Sequence, residues 1–398
     1  MENARFLQER ERYPLLQNRA YFETAATGAV PDYVYEAHRQ YEQKRYDWGG
    51  DSFWRSMDSF SMIEWAKSQL AGLLGCSAVE LAFGENTSQM FGQFAAGLRL
   101  SPGDNVILTD TTFPSMAYAW QLRQQTGGIE VRFVRSDKGA VSPADIFALA
   151  DERTRVISLN HVESNTGFRH DLGEIGAFCR SRGILLAVDA VQSVGVLPVD
   201  VRAMNIDFLA GNNYKWMQGF CGVGYGYFGP RAMERMAPQT AGWKSGEDIR
   251  ALDPRNLRLS RTASRYEFGY PNTPGVYSMG CVAERYKDLG AAAVEERVLA
   301  LADAVRRQAA GRKGLCVWND YGPQNRSQIV VLTADETYRL DSEGFESRGI
   351  GAAVRDGKPY GARYALRLGL HYYNDFADIE RLFEALEEMK APGTARKA

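Results

Sequence analysis

The sequence predicts an α/β chain with a large, mostly parallel sheet covered by helices on both faces, followed by a smaller α+β unit. Three observations carry this expectation. From about Val79 onward, short apolar runs alternate with helix-like stretches. Within the runs, successive positions are apolar rather than alternate ones, as in strands buried on both faces. After about Pro274 the pattern changes to long amphipathic stretches that bracket a few strands. The expected organisation is an N-terminal helix over 1–20 that packs with the small unit, a large domain over 21–274 and a small domain over 275–398.

The strand candidates in order are "NVILTD" (105–110), "VRFVRS" (131–136), "RVISLNH" (155–161), "ILLAVDA" (184–190), "DFLAG" (207–211) and "GVGYGYF" (222–228). Between them, "SPADIFALADE" opens with a serine cap and "DLGEIGAFCRSRG" closes on glycine, both helix signatures. In the last third, "EERVLALADAVRRQAAG" and "DFADIERLFEALEEMK" read as helices, and "SQIVVLTA" and "RYALRLGLHYY" as strands.

Composition narrows the function. The chain has 398 residues, 45% apolar and 24% charged, with a net charge of -2. Such a balance offers no electrostatic footprint for nucleic acid or an anionic membrane. No apolar run reaches the ~20 residues of a membrane span, and the N-terminus lacks a signal-peptide core. The five cysteines are scattered, with no metal-ligand spacing, so no metal site is expected and the chain reads as reduced and cytoplasmic.

Ligands of open α/β sheets collect at the carboxyl ends of the strands. Lys215 lies between two core strands, in "DFLAGNNYKWMQGFCGVGYGYFGP". A solvated loop lysine is one reading. A Schiff-base lysine is the other, because burial lowers the pKa of the amine and only the neutral form is a nucleophile. Asp189 and Gln192 end another run; they read as a strand-end acid and its neighbour, or as a helix cap and a solvated helix residue. Phe113 follows "NVILTDTT" and reads as a flat aromatic at a strand end, or as core. Thr87 and Ser88 open a helix, where hydroxyls serve either as caps or as a phosphate cradle. His161, Ser164 and Asn165 follow "RVISLN"; His161 reads equally as a core histidine, and its role stays open. A lysine, an acid, an aromatic and a phosphate cradle together suit pyridoxal 5'-phosphate (PLP).

The motifs "YFETAATGAVP", "VDAVQSVG", "NNYKWMQGFCGVGYGYF", "RYEFGYPNTPG" and "RLGLHYYN" span nearly the whole chain. On these the sequence resembles the class V aminotransferase family, PLP fold type I, which includes cysteine desulfurases, selenocysteine lyases, kynureninase and isopenicillin N epimerase-like proteins. The resemblance implies a seven-stranded-type sheet and a homodimer with shared active sites. It implies that Lys215 carries PLP, that Asp189 pairs with the ring nitrogen and that Gln192 contacts the ring hydroxyl. Phe113 would stack on the ring, in a "FPS" closer to the kynureninase form. Thr87, Ser88, Asn212 and Tyr214 would hold the phosphate, with Tyr270 of "GYPN" reaching the neighbouring subunit. Arg367 would clamp the substrate carboxylate, although an arginine on a strand is otherwise a surface ion pair. Ser164 stands where desulfurases have a carboxylate-binding asparagine, and Asn165 is one residue off.

No cysteine lies between Cys316 and Ala398, where a desulfurase carries its nucleophile. The resemblance therefore implies an enzyme on a small-molecule α-amino acid that removes the Cα proton and eliminates a β-substituent, with C–S lysis as one form. An aminotransferase using a keto acid or an amino-acid epimerase shares the same residues. A non-catalytic PLP-binding regulator lacks support, since no basic winged-helix extension precedes Tyr21. Trp243, Lys244, Arg258 and Arg265 are further candidates to face the substrate side chain.

Overall fold

Thirteen strands and twelve α-helices are defined in the computed structural model, which describes residues 4–49, 53–251 and 253–391. The outermost residues of the expected first and last units, 1–3 and 392–398, lie outside the described residues. The chain begins with α1 (Ala4–Arg10), β1 (Ala20–Tyr21), α2 (Asp32–Trp48) and α3 (Phe53–Leu74). An alternating series follows: β2 (Leu81–Gly84), α4 (Thr87–Gly97), β3 (Asn105–Thr109), α5 (Pro114–Gly127), β4 (Glu130–Val134), α6 (Pro143–Ala148), β5 (Thr154–Asn160), α7 (Leu172–Arg182), β6 (Leu185–Asp189), β7 (Phe208–Asn212), β8 (Gly224–Phe228) and α8 (Pro230–Arg235). The remainder comprises α9 (Thr273–Leu289), α10 (Ala291–Ala309), β9 (Leu315–Val317), β10 (Ile329–Ala334), α11 (Ser342–Glu346), β11 (Ile350–Gly351), β12 (Ala353–Asp356), β13 (Tyr364–Gly369) and α12 (Phe376–Glu388).

The large sheet has seven strands in the order β2-β8-β7-β6-β5-β3-β4. Only β8 runs against its neighbours; the pairings from β7 to β4 are all parallel. Both faces are apolar because each central strand feeds two cores. Ile107, Ile157, Leu159, Leu186, Val188 and Leu209 enter the core shared with α3, α7 and α9. Their alternate neighbours Val106, Leu108, Val156, Leu185, Ala187 and Phe208 enter the core under α4 and α5, with Phe91, Phe94 and Trp120. The unbroken apolar runs of the sequence follow from this double covering. The exception is β4, the edge strand, where only Val134 is fully buried. The expectation that "VRFVRS" is covered on both faces is corrected there. The short strand β2, absent from the expected list, closes the other edge.

Pro274, where the sequence pattern changes, sits in the first turn of α9. Val276, Met279, Val282 and Ala283 of this helix belong to the large-sheet core, and Gly290 separates it from α10. Helices α10 and α12 pack Leu301, Val305, Leu382 and Leu386 against the antiparallel small sheet, ordered β12-β13-β10-β9. The N-terminal segment joins this region: β1 pairs with β11, and Arg10 on α1 is bonded to Asp378 at 2.8 Å. "LHYY" does not continue β13. It turns away after Gly369 and buries its rings at the junction of the two sheets.

The loop between β7 and β8, which carries Lys215, is held from three sides. Gly28 N donates to Tyr214 O at 2.8 Å, and a Cβ on Gly28 would lie 2.0 Å from the carbonyl oxygen of Lys215. Gly195, at φ +95, approaches so closely that a Cβ would stand 2.6 Å from the carbonyl oxygen of Trp216. His371 Nε2 lies 3.1 Å from the same oxygen; its Nδ1 accepts from Tyr372 N at 2.9 Å, so Nε2 carries the hydrogen and donates. Burial pushes His371 down to about 3, which keeps it neutral in that role. Gly28→Ala is expected to displace the lysine loop and cost about 1–3 kcal/mol. A thermal midpoint and aldehyde reactivity of Lys215 both equal to wild type would contradict this packing.

Candidate active site

A cavity opens at the carboxyl ends of β5, β6 and β7, beside the point where the chain order reverses between β3 and β5. Strand ends supply its floor: Asn160 from β5, Asp189 from β6 and Asn212 from β7. Asn160 and Asp189 are register partners, so their side chains project from the same face. Asn86, Thr87 and Ser88 at the start of α4, with Phe113 and Ser115 at the start of α5, form one wall. Tyr214 and Lys215 also line it.

Lys215 is partly buried, and among the described residues no group hydrogen-bonds or ion-pairs with its Nζ. The amine stands 5.8 Å from the Phe113 ring centre and 5.9 Å from that of Tyr214. Burial pushes it down to about 8; the Asp189 carboxylate opposes this, and Arg367 and Arg355 add to it. Asp189 is 5% exposed and pushed up to about 6, chiefly by burial. Val191 N donates to its Oδ1 at 2.9 Å, and this bond and Lys215 counteract the rise.

At the α4 start, Asn86 caps the helix by accepting from Gln89 N at 2.9 Å. Thr87 Oγ1 is buried without a partner, and Ser88 Oγ donates to Ser115 Oγ at 2.7 Å. Two helix N-termini thus converge, an arrangement that favours an anion. Gly224 lets β8 reach this corner, since a Cβ there would lie 2.3 Å from the Asn86 backbone. Asn212 Oδ1 and Asn160 Oδ1 are also buried and unpartnered. The donor set fits PLP: hydroxyls and helix starts for a phosphate, a carboxylate for a protonated ring nitrogen, and an amine of lowered proton affinity for the aldehyde.

The other expected residues are placed as follows. Gln192 lines the cavity, but its amide is engaged: Nε2 donates to Ala25 O at 3.0 Å and Oε1 accepts from Trp216 Nε1 at 2.7 Å. Ser164 lines the cavity, and its carbonyl accepts from Arg367 Nη1 at 2.8 Å. Arg367 is only 6% exposed, and among the described residues it makes no ion pair. Asn165 faces outward and accepts from Arg355 Nη1 at 3.0 Å. Tyr270 is 50% exposed beside Phe60 and does not line the cavity of its own chain. His161 is buried with Nδ1 unpartnered and is pushed well below its usual range by burial; the neighbouring Val162 lines the cavity instead. None of Trp243, Lys244, Arg258 and Arg265 lines it, and Lys244 is buried against Glu267 at 3.0 Å. Among the described residues no group of His, Cys, Asp and Glu suits a metal, and no helix is long and apolar enough to cross a membrane.

Sequence reasoning missed Asn160, Arg355 and Glu163. Glu163 is a buried carboxylate that accepts from Asn160 Nδ2 at 2.6 Å and Thr109 Oγ1 at 3.2 Å, and lies 3.0 Å from His170 Nε2. Strand parity was the available signal for Asn160, since it pairs with Asp189 and His161 points the other way.

The chain belongs to the aminotransferase class-V family, whose model matches residues 20–382. A probable cysteine desulfurase of Methanothermobacter thermautotrophicus is 27% identical over 96% of this chain and 98% of its own length. Isopenicillin N epimerase of Streptomyces clavuligerus is 28% identical over 81% of this chain and 83% of its own. Two structures of C-DES superpose with TM-score 0.86 at 22% identity. One is a lysine-to-alanine mutant with glycine covalently linked to the PLP cofactor, covering 96% of this chain and 99% of that one. The other is the complex of this cystine C–S lyase with its reaction product cysteine persulfide, covering 95% and 100%. The fold is therefore that of the type I PLP enzymes.

An aldehyde combines only with the neutral amine. The initial rate at which Lys215 of the cofactor-free protein reacts with PLP should rise with pH around a midpoint of about 8. Asp189→Asn should move the midpoint down, because the carboxylate stabilises the ammonium. A wild-type midpoint near the ordinary lysine value of 10.5 would contradict the burial argument.

Proposed function

We propose that this protein is a PLP-dependent enzyme that removes the Cα proton of an α-amino acid and expels a substituent from Cβ. The observation that carries the reading is the placement of an amine of lowered proton affinity, Lys215 Nζ, in one cavity with a buried carboxylate, Asp189, and an anion-favouring helix start at Thr87 and Ser88. When bound, PLP supplies an electron sink for the pair left by the Cα–H bond. Asp189 would hold the ring nitrogen protonated, and its buried position would strengthen that interaction. Thr87, Ser88, Asn212 and Tyr214 would hold the phosphate, and Phe113 would pack against the ring. Arg367 fixes the substrate carboxylate and so orients the Cα–H bond. Lys215 Nζ takes up the proton.

The reaction removes H⁺ from Cα and the leaving group with its electron pair from Cβ; water then releases ammonia and an α-keto acid. Elimination is favoured over persulfide transfer by the absence of cysteine after Cys316. The epimerase relative gives the alternative of returning the proton to the opposite face of Cα.

A product assay across cysteine, cystine and β-substituted alanines should show pyruvate and ammonia in equal amounts, without added keto acid. Amination of added keto acids with no pyruvate would assign the aminotransferase outcome instead. Loss of optical activity without either product would assign epimerisation.

A further inference from the structure

Arg367 has a second guanidinium beside it. Arg355 on β12 lies opposite Ala365, and Arg367 on β13 lies opposite Ala353. The two arginines are therefore diagonal neighbours on one face of the small sheet. Both reach the same loop, on consecutive residues: Arg367 Nη1 donates to Ser164 O at 2.8 Å and Arg355 Nη1 to Asn165 Oδ1 at 3.0 Å. Tyr360 Oη also donates to this loop, to Asn165 O at 3.3 Å.

Among the described residues, neither guanidinium has a carboxylate within ion-pair distance. The adjacent Asp356 side chain instead accepts from Lys358 N at 3.0 Å. Arg367 Nε is buried and unpartnered. Burial and Arg355 push Arg367 down to about 10, and both arginines help to lower the proton affinity of Lys215. Among the described residues Asp189 is the only carboxylate lining the cavity, and the function above assigns it to the cofactor. Tyr360 and Glu23 act on Arg367 in the opposite sense, yet two like charges side by side still favour an anionic ligand. One α-carboxylate satisfies one guanidinium fork. Among the described residues the second guanidinium, half-buried on Arg355, then has only the neutral Asn165 Oδ1 as a partner.

We infer that Arg355 binds a second anionic group, carried on the substrate side chain, so that the preferred substrates are α-amino acids ending in a carboxylate, sulfinate or similar oxyanion. This rests on the amino-acid reading of the site and on Arg367 as the α-carboxylate clamp.

The test titrates the PLP-loaded protein with L-aspartate, L-glutamate and L-cysteine sulfinate against the uncharged L-asparagine and L-glutamine. Binding is followed by the cofactor absorbance, in wild type, Arg355→Gln, Arg355→Lys and Arg367→Gln, each checked for fold by circular dichroism. Wild type should bind at least one acid at least tenfold more tightly than its uncharged counterpart. Arg355→Gln should bring that ratio close to one, and Arg355→Lys should retain most of it. Arg367→Gln should weaken acids and amides by a similar factor, on the order of a hundredfold, and keep the ratio. Equal binding of acids and amides by wild type overturns the inference. So does an Arg355→Gln variant with the ratio unchanged, since Arg355 would then serve the α-carboxylate or only the loop. If the cofactor is bound but no amino acid of either kind perturbs it, the amino-acid reading fails and takes this inference with it.

Discussion

An amine that must be both enclosed and uncharged is the constraint on which the rest of the architecture depends. Moving Lys215 from its usual 10.5 to about 8 corresponds to roughly 3 kcal/mol in favour of the neutral form. At pH 7.5 that leaves about a quarter of the amine neutral, against about a thousandth for a solvated lysine. Enclosure requires the loop after β7 to be fixed, and the fixing groups come from distant parts of the chain: Gly28, Gly195 and His371. The reversal of β8 serves the same end. It returns the chain at once beside β7 and leaves Lys215 at the strand ends.

Charge is distributed around this amine by element type. Helix starts at α4 and α5 favour an anion, Asp189 offers a carboxylate on the floor, and the small sheet carries two guanidiniums that act on Lys215. Asp189 raises the proton affinity of Lys215, while Arg355 and Arg367 lower it. The amine is thereby tuned by both sheets. This accounts for the C-terminal "LRLGLHYY": Arg367 bonds the carbonyl of Ser164, which lines the cavity, and His371, packed between Trp216 and Tyr373, holds the lysine loop.

Most of the large sheet was legible because its strands are buried twice, which writes an unbroken apolar run into the sequence. Edges were not. The partly exposed β4 reads locally like its central neighbours, and β2 is only four residues long. Lys215, Asp189, Thr87 and Ser88 were legible because each stands at a strand end or helix start, where side chains face the crevice. Arg355 was not, since a lone arginine in a polar segment gains meaning only when β12 pairs with β13. Asn165, also expected to touch substrate, is exposed and bonds Arg355.

The central claim is that Lys215 is the amine that holds the cofactor. Reducing the PLP-loaded protein with borohydride, digesting it and mapping the pyridoxyl group by mass spectrometry tests it directly. The account predicts the label on Lys215 of "NNYKW", with stoichiometric loss of absorbance on reduction. A label on any other lysine, with Lys215 recovered unmodified, would contradict it.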